Sequence, residues 1–227
     1  MKQILTFCVL WLTVSVAFAE EKQPEISLFN TLEYKINSLD ALPQWQKALH
    51  KIAREDEMYT RCLKSDQGCA SQPTAVRAWI GMIRSLRVSG LSDREVFKKV
   101  NQFVNQWHYR SDTTNYDKSD YWASPMEFFQ RSGDCEDFSI VKYVTMRQLG
   151  FRAEQLRIVV VKDLQRNLAH AVLVLRVGDE YLVADNLSDT IKSDNNFLDI
   201  YSPYYSINET TRWAHAAKPS SIEPATS

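Results

Sequence analysis

Gly133-Asp134-Cys135-Glu136-Asp137 sets a cysteine where an amphipathic helix should begin. The unpaired N–H groups of a helix's first turn, together with its dipole, favour a thiolate and can later donate to an oxyanion. His170 opens a β-branched apolar run, Ala171 to Val177, and Asp185 closes the next run after a Gly178-Asp179 turn. If the two runs pair as a hairpin, His170 and Asp185 lie side by side at one end of a sheet, within reach of the helix start. The three residues then read as a Cys-His-Asp triad in chain order. In such a triad Cys135 attacks a carbonyl carbon, His170 takes the thiol proton and returns it to the leaving amine, and Asp185 fixes the imidazole tautomer. Each residue alone has a plainer reading, as a buried thiol or a satisfied strand histidine. Their convergence at one sheet end is what argues for covalent acyl-enzyme chemistry. For the oxyanion, the Cys135 backbone N–H and the Trp122 indole N–H are the candidate donors.

Three carboxylates crowd that cysteine. At about 8 Å and an effective dielectric near 20, each of Asp134, Glu136 and Asp137 opposes a thiolate by about 2 kcal/mol. One reading has Asp134 capping the helix, with the other two solvated at its positive end. The other has a divalent cation held by hard oxygen ligands, which points to calcium. Calcium takes six to eight oxygens, and the polar Arg110 to Tyr121 stretch offers Asp112, Thr113, Asn115 and Asp117 as a second source. The spacing is not that of an EF-hand, and no Cys/His set suits zinc.

The amino terminus carries Lys2, an apolar run from Ile4 to Val16, and Ala17-Phe18-Ala19. That pattern predicts a signal peptide over residues 1–19, cleaved after Ala19, and so an exported chain. Nothing later is long and apolar enough to insert in a membrane. Export makes disulfides available, and Cys62 and Cys69 flank a polar, Gly-containing stretch that can bring them together. A Cys62–Cys69 disulfide would contribute about 2 kcal/mol by closing a short loop. Cys135 is then the odd thiol of the mature chain.

The chain that must position these residues reads helical first and mixed later. Helices are expected from Pro43 to about Met58, from Pro73-Thr74 onward, from Ser92 through Trp107, from Ser124-Pro125 through Phe129, and from Cys135 to Leu149. Ser92 with Glu95, and Ser124 with Glu127, are Ser-x-x-Glu capping boxes. Strands are expected over Arg157 to Lys162, Ala171 to Val177 and Tyr181 to Ala184. This is an α+β fold with a helical N-terminal half and the Cys135 helix packed on an antiparallel sheet. After Asn186 the chain reads as polar and irregular, with a disordered tail over 218–227 and a single domain over 20–217. Asn186-Leu187-Ser188 and Asn208-Glu209-Thr210 match glycan acceptors. The 227 residues carry a formal net charge of −1, which gives no support to nucleic-acid binding or to a polybasic membrane contact.

Asp120-Tyr121-Trp122-Ala123-Ser124-Pro125-Met126-Glu127, Gly133 to Phe138, Lys142-Tyr143, Leu149-Gly150, Ala169 to Val172 and Ala184-Asp185-Asn186 together resemble the bacterial transglutaminase-like cysteine proteinases, and within them the LapG group of periplasmic proteases. The resemblance implies a papain-like, transglutaminase-type core and the triad Cys135, His170 and Asp185. It also implies calcium dependence carried by Asp134 and Glu136, with Thr113, Asn115 and Asp117 as loop candidates and Asp137 matching the motif without a fixed role. By the same resemblance the protein is periplasmic and its substrate is the N-terminal region of a large secreted adhesin, cut beside a pair of alanines to disperse a biofilm. Its regulator is the periplasmic domain of an inner-membrane cyclic-di-GMP receptor, and the protease is otherwise a monomer. The same triad also suits a transglutaminase-like acyltransferase or a cell-wall amidase, and the fold alone suits an inactive binding module.

Overall fold

Proline at the first helical position, where no N–H is needed, starts α1, Pro43–Lys64, the longest helix among the described residues. The structure is a computed structural model that describes residues 28–218. The predicted signal segment over 1–19 and the predicted tail beyond Lys218 lie outside the described residues. α1 runs past Met58 to Lys64, because Glu57 and Arg61 support the extra turns as an i, i+4 pair and Tyr59 and Cys62 give those turns a buried face. Its Trp45 indole donates to the Asn208 carbonyl at 2.8 Å, tying the helical layer to the far end of the chain. The short α2, Asp66–Cys69, is capped by Ser65, and a disulfide joins Cys69 to Cys62 in α1.

α3, Thr74–Arg87, buries Val76, Trp79, Ile80 and Ile83 on one stripe. α4, Asp93–Val104, opens on the Ser92–Glu95 capping box and stops before Trp107, which lies past the helix end. Within the stretch expected to be a plain loop, a short helix forms, α5, Asp112–Tyr116, ended by Asp117 in the left-handed region at φ 53°. Asp tolerates that conformation better than most residues. α6, Pro125–Arg131, has its own Ser124–Glu127 capping box, and α7 is Cys135–Gln148.

Seven strands form one antiparallel sheet in the order β1-β7-β6-β2-β3-β4-β5. They are β1 Leu32–Ile36, β2 Leu156–Asp163, β3 Leu168–Val177, β4 Glu180–Asp185, β5 Ser188–Ser193, β6 Tyr201–Ile207 and β7 Arg212–Ala216. The expectation of irregular chain after Asn186 is therefore corrected: β5, β6 and β7 all lie there. β5 is an edge strand with mostly exposed residues, so it lacks an apolar alternation to read. β6 contains Pro203, which normally argues against a central strand. The structure accommodates it where the β2–β6 register shifts between Val160 and Val161.

The sheet has an apolar face on each side. Ile158, Leu173, Leu175, Leu182 and Ala184 pack against the helices in the larger core. Val159, Val161, Val172, Val174 and Val183 pack with Leu28, Phe29 and Tyr201 in a smaller one. Buried on both faces, β2 and β3 read as near-continuous apolar runs, which makes them legible in the sequence.

Candidate active site

Two carboxylate oxygens fix the start of α7. Asp137 is fully buried; its Oδ1 accepts from Ala123 N–H at 2.6 Å and its Oδ2 from Asp134 N–H at 3.3 Å. A Cβ at Gly133 would lie 2.1 Å from that same Oδ2, so only glycine fits there. Cys135 is thereby held as the first residue of the helix. Its thiol meets β3, where β4 has already ended. The β3–β4 pairing begins at Leu173↔Ala184, so residues 168–172 are paired with β2 alone. From β3 the Ala171 backbone N–H works to lower the Cys135 thiol, the smallest of the influences on it.

Cys135 and His170 line one cavity of about 310 Å3, walled by Trp107, Tyr109, Leu168 and Leu187. His170 Nε2 lies 2.9 Å from Asp185 Oδ1. That carboxylate also accepts from Leu187 N–H at 2.9 Å and from the Tyr201 hydroxyl. Burial works to raise the Asp185 carboxyl, but the hydrogen bond and charge of His170 and the bonds from Tyr201 and Leu187 outweigh it and hold it below the usual carboxylate range. An ionised Asp185 fixes the proton of His170 on Nε2, which leaves Nδ1 as the nitrogen able to accept a proton. From α4's C-terminus Asn105 donates to the Asp185 carbonyl at 2.9 Å and to Asp189 Oδ1 at 3.1 Å, bracing the β4–β5 turn.

The local field is unfavourable to a thiolate. Burial, then the charge of Glu136 and the hydrogen bond the thiol donates to it at 3.1 Å, then Asp134, all push the Cys135 thiol up. The carboxyls themselves are crowded. Burial followed by repulsion from Glu136 pushes Asp134 up to about 9, and burial also raises Glu136, Asp137 and Asp112.

Two overlapping groups of carboxylates could hold a metal ion, Asp112 with Asp134 and Asp137, and Asp112 with Asp120 and Glu136, each with ligand atoms within 4.8 Å. Asp112 Oδ1 and Asp134 Oδ1 are buried and have no hydrogen-bond partner among the described residues. Among the loop candidates, Asp112 joins the cluster through α5. Thr113 donates instead to the Lys118 carbonyl at 3.4 Å, Asn115 to the Ser132 carbonyl at 3.2 Å, and Asp117 is exposed and in neither group. Asp120 was not singled out from the sequence. Its signals were its place in the acidic stretch that also holds Asp112 and Asp117 and at the head of the Asp120 to Glu127 run that carries the family resemblance.

The Trp122 indole donates to Asp120 Oδ1 at 2.9 Å, and Trp122 does not line the Cys135 cavity. The structure thus directs that candidate oxyanion donor to the acidic cluster and leaves the Cys135 backbone N–H, free in the first turn. Asn208, one expected glycan acceptor, is buried with its amide donating to the Ala153 carbonyl at 3.1 Å. It is a structural asparagine, closing the β6–β7 turn through bonds from Thr210 and Thr211. Tyr201 and Asn105, which both bond Asp185 or its backbone, also escaped the sequence reading. The alternation of Tyr201, Pro203 and Tyr205 was the one available hint that the Tyr201 region is a strand.

Residues 57–220 match the family described as bacterial transglutaminase-like cysteine proteinase. A structure of Legionella pneumophila LapG is 32% identical, with a TM-score of 0.56, over 70% of this chain and 86% of that one. Calcium-bound Legionella pneumophila LapG is 31% identical, with a TM-score of 0.59, over 74% and 93% of the two chains. The EGTA-treated form is 32% identical, with a TM-score of 0.58, over 74% and 87%. No curated protein matches.

Proposed function

This chain belongs to the bacterial transglutaminase-like cysteine proteinases, and from that premise we propose that it is a calcium-dependent periplasmic endopeptidase that cuts a large surface adhesin. The observation that carries the reading is the sharing of one cavity by Cys135 and a His170 bonded to Asp185.

In the proposed reaction His170 Nδ1 takes the Cys135 proton as the sulfur attacks the scissile carbonyl carbon. The oxyanion forms beside the Cys135 N–H at the positive end of α7. Collapse of the tetrahedral species breaks the C–N bond, and His170 gives its proton to the departing amine. A water, deprotonated by His170, then cleaves the thioester, releasing the acid and restoring the thiol. Asp185 stabilises the imidazolium at each stage without taking the proton.

Legionella pneumophila LapG has been solved calcium-bound and EGTA-treated, and the residues here suit the same ion. Asp112 and Asp134 each keep a buried oxygen without a partner among the described residues, and Asp120 and Glu136 add further hard oxygens. Asp137 is the poorer ligand, because both its oxygens already accept backbone N–H groups. When bound, calcium supplies positive charge that offsets the carboxylates around Cys135.

The substrate and setting follow from the family resemblance: the N-terminal region of a secreted adhesin, cut beside paired alanines, with release of the adhesin and biofilm dispersal. Control falls to the periplasmic domain of a cyclic-di-GMP receptor that sequesters an otherwise monomeric protease. Among the described residues no helix is long and apolar enough to cross a membrane. The test is cleavage of a purified adhesin N-terminal fragment, with and without a calcium chelator, beside Cys135→Ala. Cutting that needs both Cys135 and calcium supports the reading. An intact fragment in the presence of calcium, or transfer of an added amine in place of hydrolysis, overturns it.

A further inference from the structure

Away from the catalytic cavity, an open groove of about 790 Å3 runs along α1, lined by Lys47, His50, Lys51, Ala53, Arg54 and Tyr121. Positions 47, 50, 51 and 54 follow i, i+3, i+4, i+7, so four basic side chains share one helical face. The acids of α1 are turned elsewhere. Glu55 takes bonds from Ser124 and Tyr59, Asp56 from the Gln148 amide at 3.4 Å, and Glu57 pairs with Arg61 at 3.7 Å. Only Lys51 is engaged, donating to Glu127 at 2.7 Å and to the Trp122 carbonyl at 2.6 Å. Lys47 and Arg54 are exposed and have no ion-pair or hydrogen-bond partner among the described residues. Tyr121 adds a flat wall flanked by two ammonium groups, Lys51 at 4.1 Å and Lys118 at 4.4 Å from its ring centre. A solvated helix face ordinarily mixes both signs. In a chain of net charge −1 the formally charged residues lining this groove, Lys47, Lys51 and Arg54, are all cations, and the nearby Glu127 carboxylate is taken up by Lys51 and the Tyr121 hydroxyl.

We propose that the α1 groove docks an acidic segment of the protein substrate that lies outside the scissile region. The inference rests on the endopeptidase reading above and deepens it. Free ammonium and guanidinium groups on one face suit carboxylates, and such complementarity sets encounter rate and selectivity. The catalytic cavity, at about 310 Å3, is much smaller than the groove, so grip on a long polypeptide needs surface beyond it. One loop joins the two. Tyr121 forms the groove wall while its N–H donates to Asp112 in the cluster beside Cys135, and Lys51 holds the next carbonyl. A segment seated on α1 therefore rests on the loop that borders the nucleophile's helix.

The test has two arms. In the first, a fluorescein-labelled Glu-rich peptide and its Gln twin are titrated against the mature chain carrying Cys135→Ala. The Glu peptide should bind more tightly, lose affinity as salt is added, and lose about tenfold or more with Lys47→Glu/Arg54→Glu. In the second, the active protein cuts a short adhesin fragment with and without an appended acidic flank. The charge reversal should raise KM for the flanked fragment and leave cleavage of the short one unchanged, which also shows that the variant folds. Equal binding of the two peptides, or equal loss of activity on both fragments, overturns the proposal. If the wild type cuts neither fragment, the substrate reading fails, and the peptide titration still decides the groove. Tight, charge-dependent binding of the isolated regulator domain with no effect of the flank on cleavage would assign the groove to a different partner and overturn it as a substrate site.

Discussion

His170 Nε2 and Asp185 Oδ1 are 2.9 Å apart with both side chains 4% exposed, a hydrogen bond shut away from water. Such a bond orients the imidazole and stabilises its charged form, so its loss should appear in kcat more than in KM. Asp185→Ala should lower kcat by roughly 10³–10⁴-fold. Asp185→Asn keeps an oxygen that can accept from Nε2 and should lose less. Equal activity in wild type, Asn and Ala forms would remove Asp185 from the mechanism. Because the folded carboxyl is held below its usual range, its stabilising effect should be complete above the unfolded value of about 3.9 and fade as pH falls through the lower folded value.

Calcium should stabilise the fold as well as support cleavage, and the two can be read separately. In Cys135→Ala, calcium at a hundred times its Kd should add about 2.7 kcal/mol, seen as a rise in Tm that EGTA reverses. Asp112→Asn and Asp134→Asn each disable an orphaned buried oxygen and should abolish that rise. Asp117→Asn, exposed and outside both carboxylate groups, should keep it. A Tm indifferent to calcium in the wild-type sequence, or lost equally with Asp117→Asn, would remove this cluster as the site.

The helices, the central hairpin and the acidic helix start were legible because each carries a local signal: capping boxes, a helical stripe, and β-branched runs broken by Gly178-Asp179. What escaped is set by tertiary context. β5 is a polar edge strand, and β6 hides its strand character behind Pro203 at a register shift. With β6 unseen, Tyr201 could not be placed on Asp185. Asp120 and Asp112 come together only because α5 folds the loop back, a turn that no periodicity announces. The Trp122 indole was readable as a polar handle, but its partner, Asp120 two residues away, was not.

Gly133 should tolerate no side chain. The Cβ of Gly133→Ala would lie 2.1 Å from Asp137 Oδ2 and 2.5 Å from Asp137 Cβ, and Asp137 cannot give way without releasing Ala123 and Asp134 N–H groups. The cost should be about 1–3 kcal/mol in urea unfolding, accompanied by loss of activity because the same displacement moves Cys135. A Gly133→Ala protein with wild-type stability and kcat would show that the staple is not rigid.

Lys142, two turns along α7 from Cys135, is 1% exposed, and burial pushes its ammonium down to about 7 against the opposing pull of Asp185 and Asp189. In the unfolded chain a lysine stays protonated to about pH 10.4. Between about pH 7 and 10 unfolding therefore takes up a proton, and wild-type stability should rise with pH by up to about 1.4 kcal/mol per pH unit from this group. Lys142→Met fills a similar volume with no charge and should lack that contribution. Urea unfolding of both proteins at several pH values in this window should give curves that converge as pH rises, with the Met form the more stable near pH 7. Parallel profiles would mean that Lys142 keeps its proton in the fold, held by the carboxylates of the β4–β5 turn strongly enough to offset its burial.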